Sequence, residues 1–113
     1  MTRVTLFWGK KGLVGLETEG HSGFAPEGED VVCAAVSALV QALLVGLRDV
    51  ACVEDAECEM ESGTENSASF IRVKWKEDRA AELDLLTRTV ALSLKEIAAG
   101  HSGYASVSEV YVS

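Results

Sequence analysis

Apolar side chains alternate with smaller or polar ones over the first stretch of the chain, and that two-residue period predicts strands. Val4, Leu6 and Trp8 form one set, and Leu13 to Glu19 carries a second. Between them Gly9-Lys10-Lys11-Gly12 supplies turn chemistry, so the pair reads as a β-hairpin. Gly20 to Glu29 holds three of the ten glycines and the only proline, Pro26, which predicts a loop. A loop of that length between tight elements is expected to do more than connect them. Asp30 then stands directly before a run of valines, alanines and leucines from Val31 to Leu44. Asp is a favoured N-cap and Ala and Leu are strong helix formers, so a helix is expected from there to around Leu47 to Asp49. Being apolar nearly all round, it is expected to form the buried centre of the domain.

The pattern returns to period two after the helix. Asp55, Glu57, Glu59 and Glu61 alternate with Ala56, Cys58 and Met60, predicting a strand from Glu54 with one wet, negative face. Ser62 to Asn66 reads as a turn. Ile71, Val73 and Trp75 alternate with Phe70, Arg72, Lys74 and Lys76 in the next strand, whose basic face is expected to pair with the acidic one across a hairpin. Leu83, Leu86, Val90, Leu94 and Ile97 recur at helical spacing, predicting a second helix over about Arg79 to Ala98, capped by Asp78 and stopped at Gly100. Val107 to Val112 closes the chain as a strand. The order ββαββαβ predicts an α+β fold, two helices packed on a five-stranded sheet. With 113 residues and no linker or low-complexity tract, residues 1–113 read as a single domain.

Charge narrows the partners. Ten basic residues against 18 acidic give a net charge of −8, which argues against direct nucleic-acid binding and against an anionic membrane surface. The apolar run from Val31 to Leu47, broken by Ser37, Gln41 and Gly46, reads as too short and too interrupted to span a bilayer. The N-terminus has no signal-peptide pattern. Cys33, Cys52 and Cys58 form an odd, sparse set with no C-x-x-C pair and no histidine close to the last two, so no metal site and no cofactor are expected. Free thiols suit a reducing compartment, and a cytoplasmic location is expected.

Cys33 is the residue whose place invites chemistry. A cysteine among alanines and valines is ordinarily a small buried hydrophobe. With Asp30 as cap, however, Cys33 falls in the first helical turn, where unpaired N–H groups and the positive helix end favour a thiolate. The glycine-flanked His21 lies twelve residues earlier, on a segment able to fold back over the helix start. Cysteine beside histidine is the minimal activated nucleophile, and N–H groups near Val32, Cys33 and Ala34 are candidates to hold an oxyanion. Ser37 lies one turn after Cys33 on the same face, with back-bonding to its own helix as the plain alternative. Gly100-His101-Ser102-Gly103-Tyr104-Ala105 echoes Gly20-His21-Ser22-Gly23-Phe24-Ala25, but no cysteine heads a helix beside His101, which reads as a surface turn residue. Cys58 is expected to face the core, Cys52 is undecided, and nearby carboxylates are expected to keep both unreactive. Phe24 and Pro26 are equally readable as substrate contacts or loop anchors.

The stretch from Gly20-His21 through the glycine-containing loop to Asp30-Val31-Val32-Cys33-Ala34-Ala35-Val36-Ser37 resembles the signature of the ribosomal-processing cysteine proteases, the Prp family. The resemblance implies a small cytoplasmic homodimer that removes the N-terminal extension of ribosomal protein L-twenty-seven, cutting after an aromatic pair. It implies His21 as base and Cys33 as nucleophile, with Gly20 letting the loop move and Asp30 and Ser37 supporting the site. Gly100-His101-Ser102-Gly103 departs from the family's plainer helix-to-strand turn. A non-catalytic acidic module that binds a basic ribosomal protein, and a thiol redox sensor using Cys33, are the contrasting readings. On any reading that involves a basic partner, the acidic strand from Glu54 to Glu61 is the place to look for contact, against the alternative of a merely solvated face.

Overall fold

A computed structural model describes residues 1–20, 27–61 and 69–112, with backbone alone at 27–30 and 69. The described elements are β1 (Thr2–Gly9), β2 (Gly12–Gly20), α1 (Glu27–Val45), β3 (Glu57–Glu61), β4 (Ser69–Lys74), α2 (Asp84–Gly100) and β5 (Ala105–Tyr111). A π-helical segment, Gly46–Val50, extends α1, and a 3-10 turn, Glu77–Arg79, precedes α2. This is the α+β order the hydropathy pattern predicts. Gly12, at φ 141°, closes the β1–β2 turn in backbone space that side chains rarely enter.

The five strands lie in the order β3-β4-β2-β1-β5. Only β1 and β5 pair in parallel; the other neighbours are antiparallel. It follows that β2 and β3 run one way and β1, β4 and β5 the other. Each helix therefore crosses between parallel strands, α1 from β2 to β3 and α2 from β4 to β5. The crossovers leave in opposite directions from opposed strands, so the hand such connections share puts both helices on one sheet face. Val4, Leu6, Leu13, Leu16 and Val73 meet Val36, Val40 and Leu43 of α1 and Val90 and Leu94 of α2 in one buried cluster. Trp75 joins it with its Nε1–H donated to the Leu13 carbonyl at 2.8 Å.

The uncovered face carries charge in register. Glu57 stands opposite Lys74 and Glu59 opposite Arg72, with ion-pair distances of 3.1 and 3.7 Å, and Arg72 also pairs with Glu17. The expected pairing of acidic and basic strand faces is thus present.

Several local expectations change. α1 begins at Glu27, so Asp30 is its fourth residue and does not cap it. Pro26-Glu27-Gly28-Glu29-Asp30 was compatible with this start, because Pro is tolerated at the head of a helix and carboxylates are favoured in its first turn. Nor is α1 buried all round: Val32, Val36, Val40 and Leu43 face the core while Val31, Ala34, Ala38, Gln41, Ala42 and Val45 are exposed. By length and composition the 20 residues Val31–Val50 are sufficient to cross a bilayer, contrary to the sequence-based exclusion; here one face of that segment forms part of the core. α2 starts at Asp84 with Leu83 as N-cap and no side-chain cap bond, and Asp78 belongs to the 3-10 turn before it.

Candidate functional site

One end of the sheet gathers the start of β1, the end of β2, the end of β3 and the starts of β4 and β5. Because α1 follows β2, its first turns lie at this end too. Cys33 is the seventh residue of α1, half-buried, and Ser37 lies one turn further on, also half-buried. Both line a cleft of about 300 Å³ between the helix and the sheet end. Thr2 of β1 and Thr18 and Gly20 of β2 line it on the strand side, while Val36, Met60, Phe70 and Ile71 give it an apolar wall and Glu61 stands at its rim.

The placement of Cys33 alters part of the chemistry expected of it. In the second turn its own N–H lies within the helical ladder, directed at the carbonyl four residues back. The N–H groups of Val32, Cys33 and Ala34 are spent in the same way and are not free to receive an oxyanion. The helix-end field also falls off within the first turn. What the structure supplies at Cys33 is instead a half-open cleft beside an apolar wall. His21 lies outside the described residues, as do Phe24 and Pro26; Gly20, to which His21 is bonded, is in the cleft wall. The Asp30 side chain is likewise outside what is described.

The other chemistry-bearing residues lie elsewhere. His101 is exposed at the C-terminal end of α2, and its carbonyl accepts the N–H groups of Tyr104 at 2.8 Å and Ala105 at 3.0 Å, a turn role. Cys58 is exposed, not in the core as expected, since it lies on the edge strand β3 and borders an open cavity. It lines a separate open cavity of about 570 Å³ together with Cys52, also exposed and held at φ 54°. Arg48 borders that cavity and makes two hydrogen bonds to Asp49, which hold the Asp49 carboxyl below its usual range. Among the described residues no group of His, Cys, Asp and Glu side chains is arranged to hold a metal ion.

The acidic strand is not the free negative surface that its sequence promises. Asp55 pairs with Lys76 at 3.4 Å, and Glu57 and Glu59 are committed across the hairpin. Sequence reasoning found Cys33 and Ser37 by helical spacing. It missed Thr2, Thr18, Met60 and Ile71, whose membership of the site depends on strand order and on which face each side chain takes.

A family model for "Cysteine protease Prp" matches residues 1–106. Among solved structures, the fold is similar to that of SMU.848 from Streptococcus mutans, with a TM-score of 0.80 and 23% identity over 99% of this chain and 96% of that one. It is also similar to an essential ribosomal processing protease Prp from Staphylococcus aureus, solved in complex with a substrate peptide. There the TM-score is 0.73 and the identity 14%, over 97% of this chain and 100% of that one. The same protease carrying a covalently linked product peptide matches with a TM-score of 0.70, again at 14% identity and over 97% and 100% of the two chains. No curated protein sequence matches.

Proposed function

The chain belongs to the cysteine protease Prp family, and from that premise we propose that it is a cytoplasmic endopeptidase that removes the N-terminal extension of ribosomal protein L-twenty-seven. Cys33 is the nucleophile and His21 the base. The observation that carries this reading is the position of Cys33 on the wall of a cleft that opens at the sheet end beside Met60, Phe70 and Ile71. An apolar wall next to the thiol suits the aromatic residues before the scissile bond that the family resemblance implies.

The reaction divides into two acyl transfers. Proton transfer to His21 frees the Cys33 thiolate, which attacks the scissile carbonyl. The tetrahedral intermediate collapses to a thioester as the leaving amine takes the proton back from His21. Water activated by the same base then hydrolyses the thioester and restores the thiol. Gly20 gives the segment carrying His21 freedom at its root, Ser37 lies beside Cys33 in the cleft, and Asp30 supports the helix start from its first turn. No cofactor enters these steps.

The protein acts as a homodimer in this reading. The outward stripe of α1, from Val31 through Ala34, Ala38 and Ala42 to Val45, is apolar apart from Gln41, and its small residues allow a second helix to approach closely. A second copy of the chain is the occupant proposed for it.

The test is incubation with a peptide spanning the extension of L-twenty-seven, followed by mass spectrometry. Wild type should give one cut after the aromatic pair, while Cys33→Ala and His21→Ala should lose at least about 10³-fold in rate. An intact peptide with wild type, or equal cleavage by Cys33→Ala, overturns the proposal.

A further inference from the structure

Thr2 is a polar residue in a place where polar groups ordinarily find partners. Its side chain follows the same strand face as Val4 and Leu6, towards the helices, and only 3% of the residue is exposed. Its backbone N–H is donated to the Tyr104 carbonyl at 2.8 Å, which fixes the start of β1 against the start of β5. Its hydroxyl Oγ1 is buried and has no hydrogen-bond partner among the described residues. A buried hydroxyl in that condition is costly, since folding has removed it from water without replacing the bond.

The position of the hydroxyl gives the cost a use. Thr2 lines the same cleft as Cys33 and Ser37, across from α1, and its backbone is paired with Ala105 of β5, next to Arg3, which pairs with Glu19 of β2. From these observations we infer that Thr2 is a substrate-binding residue: its Oγ1 hydrogen-bonds the main chain of the bound peptide and fixes the register of the scissile carbonyl against Cys33. The inference rests on the protease reading of this cleft and adds to it a main-chain anchor on the strand side. Because the hydroxyl is already desolvated in the free enzyme, bonding it to a peptide recovers most of the value of the bond. A hydrogen bond to the peptide main chain is insensitive to side-chain identity. The apolar wall reads the side chains, and Thr2 sets where along the chain the cut falls.

Thr87 provides an internal comparison. Its Oγ1 is also buried without a partner, but it lies in the interior on α2 and does not line the cleft. Replacing either threonine with valine keeps the shape and removes the orphaned hydroxyl, so neither change should lower the melting temperature. Only the Thr2 change should affect the substrate.

The experiment compares wild type, Thr2→Val, Thr2→Ser and Thr87→Val in cleavage of the fluorescent peptide that spans the L-twenty-seven extension, with thermal melting alongside. Binding of the same peptide is measured by anisotropy in a Cys33→Ala background. Thr2→Val should raise KM and Kd about 10-fold, with kcat within about twofold and Tm at or above wild type, because the lost bond is present in ground state and transition state alike. Thr2→Ser should restore binding, and Thr87→Val should leave KM unchanged. An unchanged KM and Kd in Thr2→Val overturns the inference and leaves the protease reading standing. A KM rise that comes with a lowered Tm, and that Thr2→Ser does not correct, overturns it in favour of a structural role. Failure of wild type itself to cut the peptide overturns the protease reading, and the inference with it.

Discussion

Thiol exposure and the thiol function proposed above run in opposite order among the three cysteines. Cys52 and Cys58 are exposed, whereas Cys33 is half-buried in its cleft. Iodoacetamide, which reads access as well as reactivity, should therefore modify all three sites. A peptidyl electrophile matching the aromatic residues before the cut should modify Cys33 alone, and His21→Ala should slow that reaction without changing labelling at Cys52. Peptide mapping by mass spectrometry checks both outcomes. At this scale the sequence was informative where a side chain's neighbours lie on its own helix: Cys33 and Ser37 are four positions apart and do share the cleft. It was silent on Thr2 because nothing in Met1-Thr2-Arg3 tells which sheet face Thr2 takes or what strand lies beside it. Cys58 was misread for a related reason. Alternation places it on the helix-facing side, but burial also needs neighbours packed around it, and on the edge strand β3 it borders an open cavity instead.

Between elements, β2 approaches β4 closely. Gly15 pairs with Lys74, and a Cβ built at Gly15 would lie 2.9 Å from the Val73 carbonyl oxygen, a backbone atom with little room to yield. Gly15→Ala should destabilise the fold by about 1–3 kcal/mol, read as a fall in the denaturant midpoint with unchanged slope. The element order was legible because strand and helix periods differ sharply along the chain. Helix boundaries were less so. Asp30 has the chemistry of a cap, yet α1 begins three residues further back at Glu27, because a carboxylate residue is favoured anywhere in a first helical turn and does not by itself mark the cap. That shift of four helical positions, just over one turn, carries Cys33 out of the helix end and removes the local N–H groups as oxyanion donors. At α2 the opposite occurred: the periodic face is real, with Leu83, Val90 and Leu94 buried, but the first turn is 3-10 and irregular until Asp84.

For the molecule as a whole, the charge of −8 is already net of the ten basic residues, so ion pairing decides only where on the surface it sits. Much of the acidic strand is neutralised across its own hairpin, so attraction of a basic partner depends on unpaired groups such as Glu61 at the cleft rim. The association proposed between copies rests on apolar contact instead. Ala38→Glu, in the middle of the exposed α1 stripe, should convert the dimer to monomer at micromolar concentration in sedimentation velocity, with the melting curve of the monomer retained. A wild type that sediments as a monomer would remove the dimer from the proposal. The strand directions have a practical consequence at this scale. Four of the five lysines, Lys10, Lys11, Lys74 and Lys76, fall at or just beyond the ends of β1, β2 and β4 that lie farthest from Cys33, and the fifth, Lys95, lies on α2 beside Glu109. Attachment to a sensor chip through these four lysines would therefore fasten the protein by the end away from Cys33 and leave the cleft facing the solution.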